Sequence, residues 1–214
     1  MNTHPTHPDL RLARGKRARA EILRAAESIF AGAGLKGARM DAIARRARVN
    51  KALLYYYFKS KDDLFREAME NAIERSHQRL MDVLSSPGPP REVLRNYLET
   101  QFDLISSVPD ASFLLQRFLM TDSRLAERVM RKFFMPRQRK LAALIDRGIR
   151  ERVFRRVNSS QMGISLTALV VFYFWGAPML KAATHTDPFR PAHLKERKRE
   201  VLDFVRHGLF REVR

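Results

Sequence analysis

The 214-residue sequence has no cysteine. That absence excludes disulfides, thiolate-bound metals and a cysteine nucleophile, and it suits a cytoplasmic address. Enzyme signatures are missing as well. There is no His-Glu-x-x-His zinc helix, no phosphate-cradling glycine loop and no Gly-x-Ser-x-Gly elbow, so neither a catalytic residue nor a cofactor is expected. His185 and Asp187 are two possible metal ligands in a Pro-flanked loop, and they read as a turn instead. No window alternates apolar and polar residues between hairpin turns, so strands are not needed. There is no internal repeat and no low-complexity tract. Long apolar runs are scarce too: the first twenty residues hold none of the kind a signal peptide needs. One stretch, 161–180, is free of charge and long enough to span a bilayer. It carries Gln161, Ser165, Thr167 and Pro178 and has basic flanks on both sides, so a helix buried in a core or between subunits is expected, with no membrane partner.

Acidic side chains are in short supply. Against 41 Lys and Arg stand 23 Asp and Glu, a formal net charge of +18. Such a surface favours polyanions, either nucleic acid or an anionic membrane. Residues 1–60 alone hold 13 Lys and Arg against 4 Asp and Glu. Solubility does not require that asymmetry. Phosphate neutralisation does, because each cation placed on a nucleic-acid backbone releases condensed counterions. With 45% apolar and 30% charged residues the chain is globular, and its length allows a small module beside a larger one.

What is present is helical periodicity. Ile22, Ala25, Ala26, Ile29 and Phe30 form one stripe on a helix starting near Arg17, with Gly32 and Gly34 ending it. Met40, Ile43, Ala44 and Ala47 repeat the spacing over a shorter helix, and Leu53, Leu54, Tyr57 and Phe58 make a third cluster. Ser60 and Asp63 form a capping box for a fourth helix, which the Pro-rich turn at 85–90 stops. Further helices are expected over 93–105, 110–120, 122–134, 136–152, 159–182 and 191–211. The fold class is therefore all-α: a three-helix head plus a larger helical bundle, about nine or ten helices in all. Residues 1–15 read as a flexible basic arm, 16–64 as the head and 65–214 as the bundle.

Within the head, Asp41–Ala47 and a second helix capped by Asn50 flank the turn at Arg48 and Val49, with Val49 as a buried plug. That is the layout of a helix-turn-helix over about 39–58, in which the second helix enters the major groove with its N-terminal residues against base edges. A plain helical hairpin in a core has the same outline. The outward chemistry separates the two, because Arg39, Arg45, Arg46, Arg48, Lys51, Lys59 and Lys61 gather around these helices, whereas a solvated face mixes both signs.

The run from Ile22 to Leu64 resembles the DNA-binding head of the TetR family of transcriptional regulators. It matches the family pattern at Ile22, Ala25, Ala26, Phe30, Gly34, Ile43, Ala44, Ala47, Val49, Leu54, Tyr55, Tyr57, Phe58, Lys61 and Leu64. It departs at Arg48, where glycine is usual, at Asn50, at Leu53, and at Ala38-Arg39, where Thr often caps. The resemblance implies base reading by Lys51, Ala52 and Leu53, positioning by Arg39, and phosphate contacts from Tyr56 and Lys61. Arg48 and Asn50 complete the expected DNA-binding set, and Arg14, Lys16 and Arg17 are either further phosphate contacts or free charge. Tyr55 and Phe58 read as core.

The resemblance also implies a helical effector-binding and dimerisation body. Ile164, Ala168 and Val171 on one helix, with Val201, Phe204, Val205 and Leu209 on the last, are the expected dimer interface. Phe102, Phe113, Phe118, Met120, Phe134, Phe172, Tyr173 and Trp175 are the expected effector pocket, with Gln116, Thr167 and His185 as polar anchors. The function implied is that of a homodimeric, sequence-specific repressor released from a palindromic double-stranded DNA operator by a small apolar or aromatic molecule. A non-specific or architectural DNA-binding protein and a basic peripheral membrane protein are the alternatives.

Overall fold

The computed structural model describes residues 7–108, 112, 115–116 and 119–211, with side chains from residue 14 onward. The chain divides into two compact units, residues 1–73 and 74–214. The division falls inside the fourth helix rather than at its start.

In the first unit, α1 runs His7–Gly37, α2 Met40–Arg46, α3 Lys51–Tyr57, and α4 Lys61–Ser85 continues into the second unit. Helix α1 starts ten residues ahead of Arg17, so most of the expected arm is helical. Leu, Ala, Arg and Lys dominate residues 10–20, and all of them favour helix. Gly32 stays helical. Gly34 alone breaks the helix, at φ 65° and ψ 177°, a conformation that glycine adopts without a Cβ penalty. Ile22, Ala26, Phe30, Ile43, Leu54, Phe58, Leu64 and Phe65 are fully buried, and the Phe30 and Phe65 rings meet edge to face at 5.0 Å, a favoured aromatic geometry. Arg19 ties α1 to α4 by pairing with Glu67, and its guanidinium lies 5.4 Å from the centre of the Phe58 ring, within range of a cation–π contact. The Ser60 hydroxyl accepts the Asp63 amide at 3.0 Å, and the Asp63 carboxylate accepts the Lys59 amide at 3.2 Å. The first bond is the cap that the signature predicts; the carboxylate reaches back to the Lys59 amide, one residue before the cap, instead of that of Ser60.

In the second unit, α5 is Pro90–Ser106, α6 Ser123–Val129, α7 Met135–Arg150, α8 Ser159–Trp175, α9 Ala177–Thr184 and α10 Pro191–Leu209. A π-helical turn, Met130–Phe134, joins α6 to α7, so the break expected there is a register change instead. Asp122 and Asn158 cap α6 and α8 by accepting the amides of Leu125 and Gln161, each at 3.0 Å, as short polar side chains do at helix starts. The single helix expected over 159–182 is two, bent by 56° at Gly176, with Pro178 in the first turn of α9, where its missing amide costs nothing. Among the described residues no single helix is long and apolar enough to cross a membrane; only the bent pair α8 and α9 qualifies by length and composition.

The core of this unit joins α5, α7, α8 and α10 through Leu94, Tyr97, Leu98, Leu141, Ile145, Leu166, Val170, Phe174, Val201 and Val205. Helix α7 ends in a Schellman turn, where Arg152 takes φ 58° and Val153 donates to Gly148 O at 2.9 Å. Phe154 then folds under it and stacks on Phe210 at 5.2 Å, forming an isolated antiparallel bridge. Every other regular element among the described residues is helical.

Candidate nucleic-acid interface

Helix α2 also closes with a Schellman turn. Arg48 stands at φ 55°, its amide donates to Arg45 O at 3.1 Å, and the Val49 amide donates to Ala44 O at 3.0 Å. The position normally favours glycine; arginine holds it because both hydrogen bonds of the motif are made. Val49 follows half-buried, not as the buried plug expected. Asn50 then caps α3, its Oδ1 accepting the Leu53 amide at 2.7 Å. The side-chain oxygen of Asn50 is therefore committed to the fold, the usual task of an N-cap.

Helix α3 splits cleanly. Leu54 turns inward and is fully buried, with Phe58 one turn beyond it, while Lys51, Ala52, Tyr55 and Tyr56 are exposed and Leu53 is half-buried. Tyr56 is 79% exposed and rests edge to face on Tyr57 at 5.2 Å. Tyr55 does not belong to the core as expected. It is exposed and lies four residues after Lys51 on the outward stripe, because Leu54 and Phe58 already occupy the inward one. The exposed row thus offers an ammonium, a methyl and two phenols, which can meet guanine acceptors, a thymine methyl and phosphate oxygens.

Cations frame this row. Arg39 precedes α2 with its side chain exposed and making no cap hydrogen bond, and Arg45, Arg46 and Arg48 are exposed on the turn side. Lys51 differs from them. Its ammonium pairs with the Asp41 carboxylate at 2.8 Å, a contact that lowers the Asp41 pKa and raises that of Lys51 through the hydrogen bond first and charge attraction second. Sequence spacing hides this pair, since ten residues and a turn separate the partners. Lys61 is half-buried at the first position of α4. Its Nζ sits 3.4 Å from the carbonyl oxygens of Lys36, in the last turn of α1, and of Ala38, just beyond it.

Residues 22–68 match the family model "Bacterial regulatory proteins, tetR family", and residues 90–205 match "Tetracyclin repressor-like, C-terminal domain". The chain belongs to the TetR family. Its relatives include the HTH-type transcriptional activator FasR of Mycolicibacterium smegmatis, 35% identical over 95 residues, which are 44% of this chain and 43% of FasR. The HTH-type transcriptional repressor NicS of Pseudomonas putida is 29% identical over 110 residues, 51% of each chain. The chain spans about half the length of these curated relatives. A transcriptional regulator from Saccharomonospora viridis, solved in complex with choline, shares the fold with a TM-score of 0.77 at 20% identity, over 92% of this chain and all of that one.

The body of this TetR-family protein places the candidate residues unevenly. Val201, Val205 and Leu209, candidates for a dimer interface, are at most 4% exposed, because their stripe on α10 faces α5 and α8. Ile164, Ala168 and Phe204 are exposed and Val171 is half-buried. Of the candidate pocket residues, Phe102 is buried against Phe174 at 5.2 Å, and Phe134, Tyr173 and Trp175 are half-buried. Tyr173 is pinned by donating its hydroxyl to Pro188 O at 2.7 Å. Phe172 and Met120 are 66% and 76% exposed, so they do not line an enclosed space. Phe172 instead extends the outward row of Ile164 and Ala168 at four-residue spacing. Phe113 and Phe118 lie outside the described residues. Gln116 is half-buried, Thr167 is buried, and His185 is an exposed left-handed residue closing α9. A cleft of about 470 Å³ between α5 and α10 is lined by Arg91, Arg95, Arg199, Arg206 and Phe210 among others, and by none of the candidate pocket residues.

Proposed function

We propose that this TetR-family regulator acts as a homodimeric repressor on a palindromic DNA operator and leaves it when a small molecule binds the body. The observation that carries the reading is the capped, outward row of α3, where Lys51, Ala52, Tyr55 and Tyr56 are exposed while Leu54 anchors the helix from beneath. In this reading Lys51 and Ala52 meet base edges with Leu53 at the margin, Tyr56 and Arg39 hold phosphates, and Arg48 adds to the positive field.

One short helix reads few base pairs, so two copies related by a two-fold axis are needed for affinity and register. The apolar row Ile164, Ala168 and Phe172 on α8 and Phe204 on α10 supports a pairing surface, since each side chain is exposed within one protomer. A ligand that prefers the arrangement with mis-spaced heads releases DNA by population shift. The protein binds rather than transforms its ligands, and it works in the cytoplasm.

Operator selection from random duplexes with the purified full chain tests the reading. A palindromic consensus bound about 10³-fold or more above random duplex is the expected outcome. Equal affinity for all duplexes would replace the regulator with an architectural DNA-binding protein, and binding to anionic vesicles without any duplex shift would favour a membrane-surface role.

A further inference from the structure

The cleft of about 470 Å³ between α5 and α10 falls within the size range of small-molecule sites. The deepest part of its lining is apolar: Leu98 and Val205 are buried, and half-buried Leu202 and Phe210 continue from them. The outer part is basic. Arg91 and Arg95 come from α5, one turn apart, while Arg199 and Arg206 come from α10 and share a face with Leu202 and Asp203. Glu92 and Asp203 are the acidic residues of the lining, so four guanidiniums stand against two carboxylates. Arg199 also pairs with Glu200 at 2.9 Å, and Asp203 with His207 at 3.3 Å. Arg91 is held in place: its guanidinium lies 5.5 Å from the centre of the Phe210 ring, its Nε and Nη2 each donate to Val153 O at 3.4 Å, and Nη2 also donates to Arg211 O. Phe210 is fixed in turn by stacking on Phe154. A cation immobilised in this way gives up little freedom when it meets a ligand.

We propose that this cleft binds a small organic anion, a flat apolar body carrying a carboxylate or phosphate head. The guanidinium fork matches the oxygens of either head, and its planar faces stack on aromatic surface. The excess of cations in the lining opposes a positively charged ligand and favours an anion. Leu98, Leu202 and Val205 supply an apolar seat for the body of the molecule, which a bare inorganic anion would leave empty. The site goes beyond the repressor reading and does not depend on it, because every lining residue belongs to the second unit and none to the outward row of α3.

The test is calorimetry on the full-length protein with 2-naphthoate, 2-naphthyl phosphate, 2-naphthol and inorganic phosphate as probes. At least one naphthyl anion should bind at least about tenfold more tightly than both naphthol, which lacks the charge, and inorganic phosphate, which lacks the body. The tighter of the two anions identifies the head group. Arg95→Gln/Arg206→Gln should weaken that anion at least about tenfold, with helix content unchanged by circular dichroism because both side chains are exposed. Arg124→Gln/Arg131→Gln removes the same charge from exposed positions on α6 and the π-helical turn, outside the cleft. That variant should bind within about twofold of the wild type, since exposed charges at a distance are screened. The proposal is overturned if neither naphthyl anion binds, or if naphthol or inorganic phosphate binds as tightly as they do. It is equally overturned if the cleft variant binds like the wild type, or if both variants lose affinity to the same extent.

Discussion

Replacing Phe204 by Asp isolates the pairing surface from the fold. Phe204 is 64% exposed within the protomer, so the change should leave folding intact and act on association. A phenylalanine carries about 200 Å² of surface, so the exposed part is about 130 Å², worth about 3 kcal/mol at about 25 cal/mol per Å². A two-fold interface counts each residue twice, giving about 6 kcal/mol, or about 10⁴ in the dimer dissociation constant. Area converts imperfectly to affinity, which makes this an upper figure; the added desolvation of two carboxylates acts in the same direction as the lost burial. A dimer held at about 1 nM would then dissociate near about 10 μM. Sedimentation equilibrium reads the change directly, circular dichroism checks that the helices persist, and anisotropy on the selected operator should show weak, half-site binding. A variant that remains dimeric below micromolar concentration would refute the assignment of α8 and α10 to the interface.

Asp41→Asn removes the carboxylate that holds Lys51, so duplex binding should tighten in anisotropy titrations, while Lys51→Ala relaxes base preference at one position per half-site; an Asp41→Asn protein with unchanged affinity would mean that the pair is absent in solution. Gly148→Ala would drive a Cβ into the Phe154 ring. The turn that seats Phe154 should then be lost at a cost of about 1–3 kcal/mol, lowering the melting temperature by about 2–4 °C per kcal/mol, and an unshifted melt would contradict the packing. The His77 pKa is lowered, by burial first and by Arg137 next, from the ordinary value of 6.5. Between its folded value and that ordinary one, the unfolded chain takes up protons that the folded one refuses. Stability present above pH 6.5 should therefore fall as the solution is acidified, and His77→Phe, which preserves the contact with Phe133, should flatten that slope in denaturant titrations; equal slopes would count against it.

Much of the head is legible without its tertiary contacts. Asn50, Ser60 and the Ile22, Ala26, Phe30 stripe are local signals, each set by spacing within one or two helical turns, and the observed caps and burial follow them. The outward row of α3 is partly legible: Lys51 and Ala52 follow from the cap, while Tyr55 escapes because a tyrosine suits either side of a helix. The Asp41 partner of Lys51 and the carbonyl partners of Lys61 leave no trace in sequence, since they arise from chain segments brought together across turns.

Neighbouring residues suffice for an all-α fold, the place of the helix-turn-helix and the family, because helical period, capping and turn chemistry are all short-range properties of the chain. Which sides of α8 and α10 turn inward is settled only by packing. Helix α8 is apolar on every side, so periodicity cannot distinguish Leu166, Val170 and Phe174, which are buried, from Ile164, Ala168 and Phe172, which are not. On α10 the buried and exposed stripes both carry large apolar residues, and contact with α5 and α8 sends Val201 and Val205 inward while leaving Phe204 in solvent.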